Sequence, residues 1–178
     1  MGTTRTFYSI KRDQLIVDDI KSKISELADI CMDSCTAYFS EHLRWIPIFS
    51  STLCEGNCYA ENFTLIEIEK LFGTPVIVLS VSDSDVGLVN ICENGIVSRF
   101  SFSDESRLKD NGFGEYSTAF PEALCSYTTD KEKLQELWNS VNYIFAEDLI
   151  SEISDLIGTM MVFDFDEEYT DTLLICSE

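Results

Sequence analysis

PVIVLSVSDSDVGLVNICENGIVSRFSF, residues 75–102, is the stretch from which the fold is read. Pro75 stands at the first strand position, where a missing N–H costs least. Val76, Ile77, Val78, Leu79 and Val81 make a near-continuous apolar run, which suits a strand covered on both faces. Asp83-Ser84-Asp85 interrupts it. Val86, Leu88, Val89 and Ile91 resume it, Asn94-Gly95 turns the chain, and Ile96, Val97, Phe100 and Phe102 bring it back. Asn-Gly between apolar runs is a strong hairpin signal, because both residues accept the positive φ of a type I′ turn. The stretch is therefore a hairpin in the middle of a sheet, with 76–81 and 86–91 as central strands. The two carboxylates at 83 and 85 require a reason.

On the N-terminal side, RTFYSI (5–10) reads as a short strand or extended lead-in. A long helix is expected between Asp13 and His42, capped by Asp13 or Asp18. Ile20, Ile24, Leu27, Cys31, Cys35 and Tyr38 would form its apolar stripe. Trp45-Ile46-Pro47-Ile48-Phe49 is β-like, and Pro47 marks it as an edge strand or extended segment. Residues 50–62 read as a loop. A short helix, Leu65–Phe72, follows, capped by Asn62 or Thr64 and closed by Gly73.

On the C-terminal side, residues 103–120 have no clear period and read as the longest loop. Pro121 opens a short helix, Asp130 caps a helix over 131–142, and AEDLISEISDLI (146–157) is a helix closed by Gly158. Leu149, Ile150, Ile153, Leu156 and Ile157 face inward there, with Glu147, Asp148, Glu152 and Asp155 toward water. Two last strands, Met160–Phe165 and Thr172–Cys176, are joined by the acidic turn Asp166-Glu167-Glu168. No βαβ alternation or internal repeat occurs. The expected fold is α+β, a mostly antiparallel sheet of about four to six strands with helices mainly on one face. The length fits a single domain over residues 1–178.

Twelve Lys and Arg stand against 32 Asp and Glu, a net charge of −20. Residues 1–49 carry six basic and seven acidic groups, and residues 50–178 carry six and 25, so −19 resides in the later part. Such a field opposes nucleic acid and anionic membrane as ligands and favours a cationic partner. Seven cysteines, no leader-like apolar segment and no apolar run of about 20 residues point to a reduced, cytoplasmic protein. Gly2 and Thr6 fit an N-myristoylation pattern formally, but an anionic leaflet would repel this polyanion.

Asp83/Asp85 and Asp164/Asp166 are the candidate catalytic carboxylates. Alternate strand residues share a face, so the pairs could hold Mg²⁺ in a divalent-metal-dependent hydrolase or phosphotransferase. No phosphate loop accompanies them, and the simpler reading makes 83–85 a bend and 164–166 a solvated turn. Cys31, Cys35, Cys54 and Cys58, with His42, could compose a zinc site. Their x₃ spacing and the place of Cys31 and Cys35 on an apolar stripe favour packing instead. His42 reads as a helix C-terminal residue rather than a catalytic base. No cofactor and no catalytic motif is expected. The remaining signal is acidic residues beside rings. Asp104 and Glu105, Glu115 with Tyr116, and Asp166, Glu167 and Glu168 with Tyr169 are the candidate partner-binding residues.

The strand broken by DSDV (83–86), the turn at Glu93-Asn94-Gly95 and the helix FAEDLISEISDLIG (145–158) resemble, over residues 75–158, the immunity proteins of bacterial contact-dependent growth inhibition and polymorphic-toxin systems. That resemblance implies a non-enzymatic inhibitor that binds and occludes a toxin domain, often a basic nuclease. The charge argument points the same way.

Overall fold

A computed structural model describes residues 4–54, 61–140, 145–162 and 171–177. The fold is α+β. Among the described residues, seven strands form one antiparallel sheet: β1 (Arg5–Lys11), β2 (Thr36–Phe39), β3 (Trp45–Phe49), β4 (Val76–Ser82), β5 (Val86–Glu93), β6 (Ile96–Ser101) and β7 (Leu173–Cys176), in the order β6-β5-β4-β1-β3-β2-β7. The strand number exceeds the four to six expected. The helices are α1 (Val17–Cys31), α2 (Ser51–Cys54), α3 (Asn62–Phe72), α4 (Glu105–Asp110), a 3-10 turn (Glu122–Ser126), α5 (Lys131–Trp138) and α6 (Ala146–Ile157).

β4 explains why one covering layer is not enough. Every residue from Val76 to Val81 is buried. Val76 and Val78 pack into a core with Ile20, Ile24 and Leu27 of α1 and Leu65 and Ile68 of α3. Ile77, Leu79 and Val81 point the other way, to Leu134 and Trp138 of α5 and Leu149, Ile150 and Ile153 of α6. Helices therefore cover both faces, not mainly one. Burying a Val, Leu or Ile side chain contributes about 1.5–3 kcal/mol, so a strand apolar on both sides must have a layer on each.

The Asp83-Ser84-Asp85 interruption is the turn between β4 and β5. Asp83 and Ser84 adopt φ of 50° and 61°, and the Asp85 N–H donates to Ser82 O at 3.1 Å. The turn is bolted to the start of α6: the Ala146 N–H donates to Ser84 O at 2.9 Å, and Ser84 Oγ donates to Glu147 Oε1 at 2.8 Å. Asn94 (φ 54°) and Gly95 (φ 72°) make the second turn as expected. Glu69 of α3 reaches it, accepting from the Gly95 N–H at 2.8 Å.

Several local expectations are corrected. The first helix ends at Cys31, where Met32 enters the left-handed region with φ 52° and its N–H bonds Ala28 O. Cys35 precedes β2 and Tyr38 lies within it, because that segment pairs with β3 and β7. The N-cap is Ile16, without a side-chain bond; Asp18 and Asp19 lie in the first turn. Asp13 instead pairs with Lys11 at 3.0 Å and accepts from Thr74 Oγ1 at 3.2 Å. Trp45–Phe49 is interior, between β1 and β2, and all five residues are buried. The β2–β3 register covers Thr36↔Phe49 and Ala37↔Ile48 and ends where Pro47, which lacks an N–H, would follow. α3 starts at Asn62, with Glu61 as N-cap. The helix after Asp130 ends at Trp138. Residues 160–162 are not strand, and 163–165 lie outside the described residues.

Two arginines fasten the sheet to its surroundings. Arg12 Nη1 donates to the carbonyls of Ser40 (3.1 Å), Glu41 (2.8 Å) and Leu43 (3.2 Å). Arg44 Nη2 donates to Leu156 O (3.1 Å) and Ile157 O (2.7 Å) at the end of α6, and to Tyr127 O. A cation at a helix C-terminus also complements the macrodipole. His42 lies exposed in the 40–44 turn, not at a helix end.

Asp33 fastens α2. Its Oδ2 accepts from Ser50 Oγ (2.6 Å), Ser51 Oγ (2.9 Å) and the Thr52 N–H (2.8 Å). The Ser50 hydroxyl, then the Thr52 amide, hold this carboxyl well below the ordinary carboxylate range. A carboxyl depressed by folding stabilises above its unfolded pKa of about 4, and that contribution fades as pH falls through the folded value. Asp33→Ala is expected to cost about 2 kcal/mol near neutral pH. Urea titrations at successively lower pH, to about 3 and below, should show the difference from the parent shrinking. A difference that stays constant with pH would show that the charge is not its source.

Candidate partner-binding site

The segment read as a long loop holds a helix. Asp104 is the N-cap of α4: its Oδ1 accepts from the Ser106 and Arg107 N–H groups at 3.0 Å each. Six residues are too few for a visible hydrophobic period, and Leu108 alone anchors the helix, against Val86, Leu88, Phe113 and Tyr116. Glu105 pairs with Lys109 at 3.7 Å, and Arg107 with Asp104 at 3.6 Å. Gly112 (φ 82°) reverses the chain, and the Phe113 N–H donates to Leu108 O at 2.7 Å.

Asp104, Glu105, Asp110 and Glu115 are all exposed on this corner, with Arg107 and Lys109 among them. A shallow cavity of about 330 Å³ opens there, lined by Glu105, Leu108, Lys109, Gly114, Tyr116 and Ser117. The structure therefore brings Asp104, Glu105, Glu115 and Tyr116 to one corner. Asp166, Glu167, Glu168 and Tyr169, like Asp164 and Cys58, lie outside the described residues.

Tyr116 differs from the other three. It is only 5% exposed, so its ring offers little contact area to a partner. Its hydroxyl donates to Asn90 Oδ1 at 2.9 Å, while Arg99 Nη1 donates to that same oxygen at 2.7 Å and to the Tyr116 hydroxyl at 2.8 Å. The Arg99 guanidinium also stands 5.3 Å from the ring centre. Burial pushes the Tyr116 hydroxyl up, and Arg99 and Asn90 oppose it. Counting back from the Asn94-Gly95 turn places Asn90 opposite Arg99, and that register was a legible signal for this cluster. Tyr116→Phe removes both hydrogen bonds of the hydroxyl, to Asn90 and from Arg99, and should cost about 1–3 kcal/mol. Chemical denaturation measures it. Partner affinity should stay unchanged, and a large loss of affinity in a folded Tyr116→Phe protein would contradict a purely internal role.

A second acidic surface escaped the sequence reading. Glu122, Glu132, Glu136, Asp148, Glu152 and Asp155 are exposed on the 3-10 turn, α5 and α6, which cover one face of the sheet. Lys131 and Lys133 are the cations among them, paired with Glu122 at 3.2 Å and Glu152 at 4.0 Å. This layer carries more uncompensated carboxylate than the α4 corner.

The other candidates resolve differently. Asp83 and Asp85 belong to the turn bolted to α6. Cys31, Cys35 and Cys54 belong to the α1 core region. Among the described residues, no three His, Cys, Asp or Glu side chains converge as a metal site, and no helix is long and apolar enough to cross a membrane. Comparison with known protein families, curated proteins and solved structures finds no match to the chain.

Proposed function

We propose that this chain is a non-enzymatic immunity protein of a bacterial toxin system, acting in the cytoplasm by binding and occluding a cationic toxin domain, such as a nuclease. The observation that carries the proposal is the charge: −20 overall, with −19 on residues 50–178. Support comes from where it sits. Carboxylates crowd the exposed α4 corner and the exposed faces of α5 and α6, on rigid elements backed by a packed core. Prearranged carboxylates attract a basic surface at long range and fix its orientation on contact. Asp104, Glu105 and Glu115 are the named contacts at the corner, and Glu152 and Asp155 those on α6.

The test is co-expression with any toxin domain encoded beside this gene. Surviving cells and a complex that survives gel filtration are the expected result. A toxin that keeps its full activity at a several-fold excess of this chain, with no complex formed, would sink the proposal.

A further inference from the structure

Where β1 ends and the 40–44 turn enters β3, the two segments stay side by side. Past the Lys11↔Trp45 pair the Arg12 N–H donates to Arg44 O at 3.0 Å, so two arginines stand opposite each other. Like charges in that position destabilise a strand pair. In a chain with 32 acids against 12 cations, an acidic partner would be the simple remedy. Neither arginine has one among the described residues. Arg12 Nη1 donates to the carbonyls of Ser40, Glu41 and Leu43, and Arg44 Nη2 to those of Tyr127, Leu156 and Ile157. These carbonyls hold both guanidiniums in place without cancelling their charge. Nε and Nη2 of Arg12, and Nε and Nη1 of Arg44, have no partner among the described residues. Both arginines line a shallow cavity of about 300 Å³, together with Lys11 and His42. Two carboxylates share that lining: Asp13, which Lys11 pairs at 3.0 Å, and the exposed Glu41, which pairs with no cation among the described residues.

We infer that this cavity binds a small oxyanion of the phosphate class, either inorganic phosphate or a phosphate monoester. A guanidinium presents its N–H groups as a planar fork that fits two oxygens of one anion. Two forks, an ammonium and an imidazole N–H offer more donors than the two oxygens of a carboxylate need, and suit a tetrahedral group with three or four oxygens. Because backbone carbonyls already fix both forks, binding orders little further. The acidic remainder of the chain limits the size of the ligand. Beyond about 8 Å salt screens its carboxylates, so a small anion responds mainly to the groups of the cavity. A long polyanion would extend over the acidic surface and be repelled. The site stands independently of any toxin binding.

The test uses the full chain, titrated with sodium phosphate near neutral pH at constant ionic strength, with chloride as the balancing anion and amide NMR spectra as the readout. Saturable shifts confined to Arg12 and residues 41–44 are expected, and sodium acetate should bind about ten-fold more weakly. Methyl phosphate is titrated in parallel: tighter binding than inorganic phosphate assigns the site to monoesters, and equal or weaker binding assigns it to the free ion. Glu41→Gln removes the unpaired carboxylate from the lining and should tighten phosphate binding about three-fold. Lys11→Gln should weaken it about ten-fold. Shifts that rise linearly with phosphate or spread over the whole surface would overturn the inference. So would acetate binding as tightly as phosphate, a phosphate affinity that Glu41→Gln does not raise, or one that folded Lys11→Gln protein retains. If circular dichroism shows Lys11→Gln unfolded, Glu41→Gln and the acetate comparison decide by themselves.

Discussion

Association with a cationic toxin domain should slow steeply as salt is added, from about 10⁸–10⁹ M⁻¹s⁻¹ at low ionic strength toward about 10⁵–10⁶ M⁻¹s⁻¹. The motivating fact is the −19 on residues 50–178. At physiological ionic strength the Debye length is about 8 Å, so carboxylates far from the contact cease to act. Dissociation should change less, because desolvated contacts near the centre of an interface set it. Charge reversals then locate the surface. Asp104→Lys with Glu105→Lys probes the α4 corner, Glu152→Lys with Asp155→Lys probes α6, and Glu167→Lys with Glu168→Lys probes the acidic run near the C-terminus. Each pair should slow association, and the pair at the interface should also speed dissociation. Asp104 has a second duty as the α4 cap, so its reversal should also cost about 1 kcal/mol of stability; Asp104→Ser separates the two effects. Stopped-flow traces insensitive to salt and to all three reversals would leave the charge as a solubility device and remove the main support for the proposed function.

Trp45→Ala should destabilise the fold by about 4 kcal/mol, the largest loss expected from any single side chain here. Trp45 is 1% exposed in the interior strand β3, and its ring meets Tyr127 edge-on with centroids 5.1 Å apart. Removing it opens a cavity between the sheet and the chain around Tyr127. Neighbours pinned by strand pairing on both sides have little freedom to collapse into it. Ile96, on the edge strand β6 and 68% exposed, is the control: Ile96→Ala should cost less than about 0.5 kcal/mol. Urea midpoints at constant m-value measure both. A Trp45→Ala loss below about 1 kcal/mol would mean that β3 behaves as the edge strand its proline suggests.

What the sequence made legible was local. α6 is read with its observed bounds because its inward stripe, acidic first turn and Gly158 agree with one another. The β5–β6 turn follows from Asn94-Gly95, and β4 from its unbroken apolar run. What escaped depends on partners far along the chain. Cys35 and Tyr38 continue the spacing of α1, and nothing local prevents a longer helix. The pairing of Thr36–Phe39 with β7, whose residues lie 140 positions away at Thr36 and Cys176, makes it a strand. Pro47 marks an edge only if neighbours need its N–H. Tyr116, between Glu115 and Ser117 in a glycine-containing segment, looks exposed until Asn90 and Arg99 are placed beneath it. Exposed carboxylates on α5 and α6 were legible one helix at a time, but not as a common surface, because the packing that joins those helices is not written in either.

β1 lies at the centre of the sheet, with β3 on one side and β4 on the other. During synthesis it is made well before β4, the neighbour that spans residues 76–82. At about 5–20 residues per second, Phe7, Tyr8 and Ile10 wait several seconds for that edge to be covered. β7, which packs against α1 and pairs with β2, comes later still, and Ser177 binds Cys35 across 142 positions. The nascent chain therefore passes through a prolonged stage with an apolar strand edge open, which a chaperone of the ribosome exit region would be expected to occupy, and carboxyl-terminal truncation would hold the molecule at that stage.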